Sequence, residues 1–212
     1  MVPQFFLITP PIDDPLAARS GLAAAIGTGA LSVVLVRMAA GTDLKQVVTE
    51  IRPLIQGAGV AMLVEAPADL REVARLGLDG VHVPVPGAGL RDAVEALKPE
   101  RIVGIGGLKA RHDAMEAGEM DVDYVMFGEP RADGSVPPLA QVAERAEWWA
   151  SIFTTPCIAY APDLDAIASL ATTGAEFIAL GPWVFATPDP AWTVAEARRQ
   201  AKERTLGPEA AR

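Results

Sequence analysis

Three stretches decide the fold: Gly77-Leu-Asp-Gly-Val-His82, Met120-Asp-Val-Asp-Tyr-Val125 and Gly174-Ala-Glu-Phe-Ile178. Each carries an acidic residue (Asp79, Asp123, Glu176) directly before a short apolar run. In two of them a glycine first ends the preceding helical pattern, as glycine readily does because it tolerates the left-handed conformation at a helix C-terminus. They read as one helix-to-strand junction that recurs. Outward from these, apolar runs of strand length fall at Phe5–Thr9, Val33–Arg37, Val60–Val64, Gly80–Val83, Ile102–Ile105, Tyr124–Phe127, Cys157–Tyr160 and Phe177–Leu180. Between them, Asp43–Gln56, Ala68–Leu76, Leu90–Leu97, Ala110–Ala117, Leu139–Ala150 and Leu164–Thr172 repeat apolar residues at helical spacing. The strand runs are nearly continuous in Val, Ile, Leu and Ala, as expected of parallel strands buried on both faces. Repeated β-then-α units of about 25 residues predict an α/β fold, a single (β/α)8 TIM barrel near the small end of its size range. An open doubly wound sheet is the competing arrangement, disfavoured because no linker or composition shift divides the chain. The barrel is expected over residues 1–205, with 206–212, around Gly207-Pro208, as a frayed tail.

The composition agrees. Half of the 212 residues are hydrophobic and 21% are charged, enough apolar mass for one sizeable core. The 19 glycines and 18 prolines punctuate the chain into many short elements. A net charge of −9 without any basic run excludes a nucleic-acid stripe and a polybasic membrane contact. The uncharged stretch Ser20–Val36 reaches the lower end of membrane-spanning length, but Gly27-Thr-Gly29 splits it into helix, turn and strand. The first residues lack the basic start of a signal peptide, and Pro10-Pro11 cut the apolar run short. Cys157 is the single cysteine, so an intrachain disulfide and a cysteine zinc site are excluded and a reducing cytoplasm is the simplest compartment. Inside an apolar strand it reads as an inert core thiol. Trp148-Trp149 cannot share one helix face. One should be core and the other a contact with a second subunit, which would make a homodimer.

In such a barrel the site lies at the C-terminal ends of the strands. Arg37, ending a β-branched run, either holds a phosphate or carboxylate at the mouth or pairs with Glu65 on the next strand. His82 is either a hydrogen-bonded interior residue or a catalyst, whereas His112 lies in a charged, solvated helix. Glu129 follows Tyr124–Gly128 and precedes Pro130, so it faces the mouth, either as a general base or bridged to Arg131 or Lys109. Gly106 and Gly107, in Gly104-Ile-Gly-Gly107, let a ligand approach the backbone, although GxGxxG is absent. Tyr160 and Gly181 end the last two strands as further ligand contacts. No metal motif and no nucleophile elbow occurs. The expected partner is a small anionic molecule.

The order Phe6-Leu-Ile-Thr9, Leu35-Val-Arg37, Gly77-Leu-Asp-Gly-Val-His82, Asp123-Tyr-Val-Met-Phe-Gly128, Gly174-Ala-Glu-Phe-Ile-Ala-Leu180 and Asp189-Pro190 resembles the thiamine phosphate synthases and their thiazole tautomerase relatives. The resemblance implies a barrel of thiamine biosynthesis or salvage. With Mg²⁺, such a barrel joins an aminopyrimidine diphosphate to a thiazole phosphate and releases diphosphate. Several of the family's motifs are altered here. Arg37 is kept from Gln-x-Arg-x-Lys, but Leu35 and Ala39 flank it. Asn-Asp after the third strand is Glu65-Ala66, and Gly-Gln-x-Asp after the fourth is Pro84-Val85-Pro86-Gly87. Ser-x-His after the fifth is Gly106-Gly107-Leu108, and the glycine pair after the seventh is Ala161-Pro162, where proline has no N–H to offer. The tautomerase branch places a histidine base directly after Phe-Gly, the position of Glu129. Three readings follow: synthase, proton transfer with Glu129 as base and Arg37 as anion anchor (His82 being the other catalytic candidate), or a non-catalytic ligand-binding or regulatory barrel.

Overall fold

The computed structural model describes residues 2–66, 69–131 and 134–207. Its strands are β1 (Gln4–Ile8), β2 (Leu31–Val36), β3 (Ala61–Glu65), β4 (Gly80–Val83), β5 (Ile102–Ile105), β6 (Tyr124–Phe127), β7 (Cys157–Ala161) and β8 (Phe177–Leu180). The helices are α1 (Pro15–Gly27), α2 (Leu44–Gln56), α3 (Leu70–Arg75), α4 (Ala88–Leu97), α5 (Arg111–Gly118), α6 (Leu139–Ile152), α7 (Ile167–Leu170) and α8 (Pro190–Leu206), with a 3-10 turn at Pro182–Ala186 between β8 and α8. The strands close in chain order into one parallel barrel, β1 pairing with both β2 and β8. This is the (β/α)8 barrel expected from the repeat. β4, β6 and β7 are buried at every position, as their unbroken apolar runs require.

Two apolar layers hold the barrel. Phe6, Leu35, Leu63, Tyr124, Met126 and Ile158 belong to the cluster that fills the lumen. The alternate strand residues, such as Leu7, Val34, Val64 and Val125, pack against the helices in the outer layer. Four helices start on aspartates: Asp14, Asp43, Asp69 and Asp189 each accept an N–H of the first turn, and Pro15 and Pro190 occupy first-turn sites that need no N–H partner.

The recurring acidic residue has a physical role. Asp79 Oδ2 accepts the Met62 N–H at 2.7 Å, Asp123 Oδ2 accepts the Val103 N–H at 2.8 Å, and Glu176 Oε2 accepts the Cys157 N–H at 2.8 Å. The acid before β4, β6 or β8 thus holds an N–H near the start of β3, β5 or β7. Asp79 also takes Gln56 Nε2 at 2.9 Å, and Asp123 takes Lys98 Nζ at 2.7 Å.

The boundaries depart most from the sequence pattern at two helices. The helix expected over Leu164–Thr172 shrinks to Ile167–Leu170, because Asp163 turns the chain by accepting the Ala166 N–H at 3.0 Å. At its other end Thr173 Oγ1 bonds back to the Leu170 carbonyl at 2.8 Å. The long α8 carries too weak an apolar stripe to have been read, and it runs through Leu206, inside the span expected to be tail; residues 208–212 lie outside the described residues. Ser20–Val36 is helix, turn and strand as expected, and no described helix is long and apolar enough to cross a membrane. Of the tryptophan pair, Trp149 is fully buried and donates to the Thr155 carbonyl at 2.7 Å. Trp148 packs edge-on against it, with the Arg111 guanidinium 4.7 Å from its ring centroid.

Asp79→Ala leaves the Met62 N–H unpaired, which costs about 1–3 kcal/mol. Urea unfolding of the variant should show that loss, with a normal circular dichroism spectrum below the transition.

Candidate active site

At the strands' C-terminal ends a cavity of about 520 Å³ opens between the loops that follow β2 to β6 and the start of α6. Its walls include Arg37, Glu65, Lys109, Glu129, Arg131 and Tyr160. Of the residues singled out from the sequence, these and Gly107 line it directly.

The floor depends on β5 having no side chains at two inward positions. A Cβ at Gly104 would lie 1.9 Å from the Tyr124 ring, and one at Gly106 would lie 1.6 Å from Glu129 Oε2 and 2.8 Å from His82 Nε2. Tyr124, His82 and Glu129 therefore occupy space that β5 vacates. Gly106 sits behind the Glu129 carboxylate and does not itself line the cavity. Gly107 does, at φ +65° with the Pro84 carbonyl 2.1 Å from any added Cβ, so no larger residue fits.

Gly128, at φ +97°, turns the chain after β6 so that Glu129 points inward. Its carboxylate meets neither Arg131 nor Lys109; its partner is His82, with Nε2 3.1 Å from Oε1. The contact is short but off the hydrogen-bond line, so His82 Nε2 and Glu129 Oε2 are buried without a formed hydrogen bond. His82 is fully buried, its Nδ1 lies 2.9 Å from the Tyr124 hydroxyl, and its ring stacks 5.8 Å from the Tyr124 ring. His82 is thus an interior histidine bonded to Tyr124, and it also touches the mouth carboxylate. Burial, helped by Glu129 and Asp123, pushes the Tyr124 phenol well above its ordinary value. Tyr160 is pushed up to about 12, mainly by burial and then by Glu129, against a lowering by Arg37.

Arg37 and Glu65 form the cross-strand ion pair, Nε to Oε2 at 2.7 Å, at the rim of the same cavity. The Arg37 N–H donates to the fully buried Thr9 Oγ1 at 3.0 Å. On the far wall Arg145, which the sequence reading missed, donates to the carbonyls of Leu108 and Lys109 and ties the β5 loop to α6. Gln141, one helical turn earlier, lines the cavity with it. That i, i+4 polar pair on the first turns of a mouth-side helix was the available signal. Tyr124 was also missed as a functional residue; its signal was a lone aromatic opposite the Gly104-Ile-Gly-Gly107 strand.

The β7–β8 corner is closed. Trp183 donates its indole N–H to the Ala161 carbonyl at 2.8 Å, and a Cβ at Gly181 would meet the Tyr160 hydroxyl at 2.2 Å and Trp183 Cδ1 at 2.9 Å. Gly181 therefore makes room for two aromatic side chains and does not line the cavity. Mg²⁺ needs several hard oxygen ligands. The two described carboxylates that line the cavity are engaged, Glu65 by Arg37 and Glu129 by His82. Among the described residues no group of three or more acidic, histidine or cysteine side chains is arranged to hold a metal. Among the described residues the set does not fit the ion. His112 is exposed and pairs only with Glu116, as expected.

Fold and mouth together define a (β/α)8 barrel with a cavity at the C-terminal ends of its strands, walled by Arg37, Glu65, Lys109, Glu129, Arg131 and Tyr160. The profile of the thiamine monophosphate synthase family matches residues 5–182, and the chain belongs to that family. It is 35% identical over 201 residues to the thiamine-phosphate synthase of Rhodospirillum centenum, covering 92% of this chain and 96% of that one. It is 31% identical over 194 residues to the corresponding synthase of Hyphomonas neptunium, covering 86% of each. In structure it is similar to the thiamine phosphate pyrophosphorylase of Pyrococcus furiosus, with a TM-score of 0.78 at 18% identity over 95% of this chain and 96% of that one. An orotidine 5'-phosphate decarboxylase of Pyrococcus horikoshii, at TM-score 0.69 and 16% identity, covers 93% of this chain and 99% of its own and shares the fold alone.

Three buried acids titrate late: burial and then Glu176 raise the Cys157 thiol from 9.0 to about 12, alongside Tyr160 and Tyr124. Above pH 9 the unfolded chain has lost protons that the folded chain keeps, so stability must fall as pH rises from 9 towards 12. The urea midpoint should be lower at pH 10.5 than at pH 8, and native Cys157 should resist alkylation at pH 8.

Proposed function

We propose that this barrel acts in thiamine biosynthesis or salvage on a small anionic heterocycle, moving a proton with Glu129 as the base. The observation that carries the reading is the Glu129 carboxylate at the cavity wall, 3.1 Å from a fully buried histidine nitrogen. Proton transfer needs a carboxylate held in place and partly withdrawn from water, and no metal. Arg37, Lys109 and Arg131 supply the positive charge for the ligand's phosphate or carboxylate, since the closed β7–β8 corner leaves little backbone to cradle it. With a net charge of −9, these few mouth cations carry nearly all the attraction for an anion. On this reading the diphosphate and Mg²⁺ part of the family's site is degenerate, in keeping with the engaged Glu65 and with Pro84-Val85-Pro86.

The test is metal-independent exchange of a ring proton on a thiazole carboxylate phosphate, followed by NMR in D₂O with chelator present. Glu129→Gln should lower the rate at least about 100-fold, and His112→Ala should leave it unchanged. Gly106→Ala should act like Glu129→Gln in a folded protein, because its Cβ takes the place of the carboxylate. Equal rates in wild type and Glu129→Gln would end this reading.

The synthase identity of the two bacterial relatives favours a second reading, thiamine phosphate synthesis itself. It requires Mg²⁺-dependent diphosphate release from an aminopyrimidine diphosphate and a thiazole phosphate. Absence of release at high protein concentration would exclude it. Thermal stabilisation by either thiazole with no turnover in both assays would leave a binding protein.

A further inference from the structure

The Tyr124 hydroxyl, His82 and Glu129 form a line running from the lumen to the cavity wall: 2.9 Å from the hydroxyl to Nδ1, then 3.1 Å from Nε2 to Oε1. We infer that Tyr124 is a positioning residue that fixes His82 as the neutral tautomer with its proton on Nε2, aimed at Glu129. The inference rests on Glu129 as the working carboxylate, but it concerns the resting protein and can be tested without turnover.

Elimination among the proton arrangements gives this result. The phenol is buried and holds its proton, so its O–H needs an acceptor, and the one it meets among the described residues is His82 Nδ1. A neutral imidazole that accepts at Nδ1 carries its hydrogen on Nε2. That hydrogen then faces a carboxylate oxygen. The opposite tautomer puts the Nε2 lone pair 3.1 Å from a carboxylate, two acceptors face to face, and leaves the phenol proton without an acceptor. A doubly protonated ring would also leave the phenol proton without an acceptor among the described residues. The neighbours hold the line rigidly. Gly104 and Gly106 clear the space, the Tyr124 and His82 rings lie 12° from parallel, and Phe6 packs edge-on to Tyr124 with centroids 5.7 Å apart.

The consequence for the site is orientation. The Nε2–H lies on the Glu129 side of the ring, 3.1 Å from Oε1 but off its line, and a small movement of Glu129 would complete a hydrogen bond that the resting structure leaves unformed.

The chain has two histidines, so ¹⁵N-histidine NMR of the His112→Gln protein reads His82 alone. The expected spectrum at neutral pH shows one protonated nitrogen, Nε2, and one bare nitrogen, Nδ1. A proton on Nδ1, alone or together with Nε2, overturns the inference. Tyr124→Phe keeps the ring and removes the donor, so the single tautomer should give way to a mixture. An unchanged His82 spectrum in that variant also overturns it. Should Tyr124→Phe fail to fold, the spectrum of the His112→Gln protein decides alone. In the exchange assay Tyr124→Phe should lower kcat about 10-fold with little change in KM. A silent assay with the expected spectra would sink the proton-transfer function and leave the tautomer assignment standing.

Discussion

The site depends on what β5 leaves out. A barrel of this size is normally filled by side chains from every strand, yet Gly104 of β5 and Gly106 just after it bring no side chain to the interior, and three polar side chains from β4, β6 and the loop after β6 occupy the vacated volume. An alanine at either glycine would overlap Tyr124 or Glu129. Burial of a histidine, a phenol and a carboxylate in one place is costly unless each finds a partner. Here they find one another, so packing and chemistry impose the same arrangement.

Charge at the mouth is similarly mutual. Arg37 and Glu65 neutralise each other across β2 and β3, and Arg145 spends donors on two backbone carbonyls. Under the proposed function an anionic ligand would compete with Glu65 for Arg37, and Lys109 and Arg131 line the same cavity. Aromatic packing at Gly181, with Trp183 bonded to the Ala161 carbonyl, occupies part of the β7–β8 corner, where barrels of this architecture often hold phosphate. The scaffold is that of the synthase family, while the mouth holds two contacts, Glu129 with His82 and Arg37 with Glu65.

Much of the scaffold was legible along the chain. Four strands, β4, β5, β6 and β8, have the limits read from their apolar runs, because strands buried on both faces are mostly apolar. The acidic repeat marked the junctions, although its role as an acceptor for an N–H of the preceding strand concerns a contact between elements and is invisible in either one alone. Helix α7 was over-read because side-chain hydrogen bonds of Asp163 and Thr173 compete with the helical ladder. At the site, Arg37, Glu65, Glu129, Lys109, Arg131 and Tyr160 were found from their positions at strand ends. The partners of Glu129 and the parts played by Gly106 and Gly181 were not.

The sequence by itself determined the barrel, the end of it that carries the mouth, and the family, since all three follow from periodicity and the order of local motifs. Tertiary structure alone decided which residue each charged or polar group faces. Glu129 turned from the cations beside it in sequence to a histidine that lies 47 positions earlier, because the φ of Gly128 aims it inward and the missing side chain of Gly106 lets it arrive. Pairing across a closed barrel depends on register and free volume, and neither is a property of any single stretch of chain.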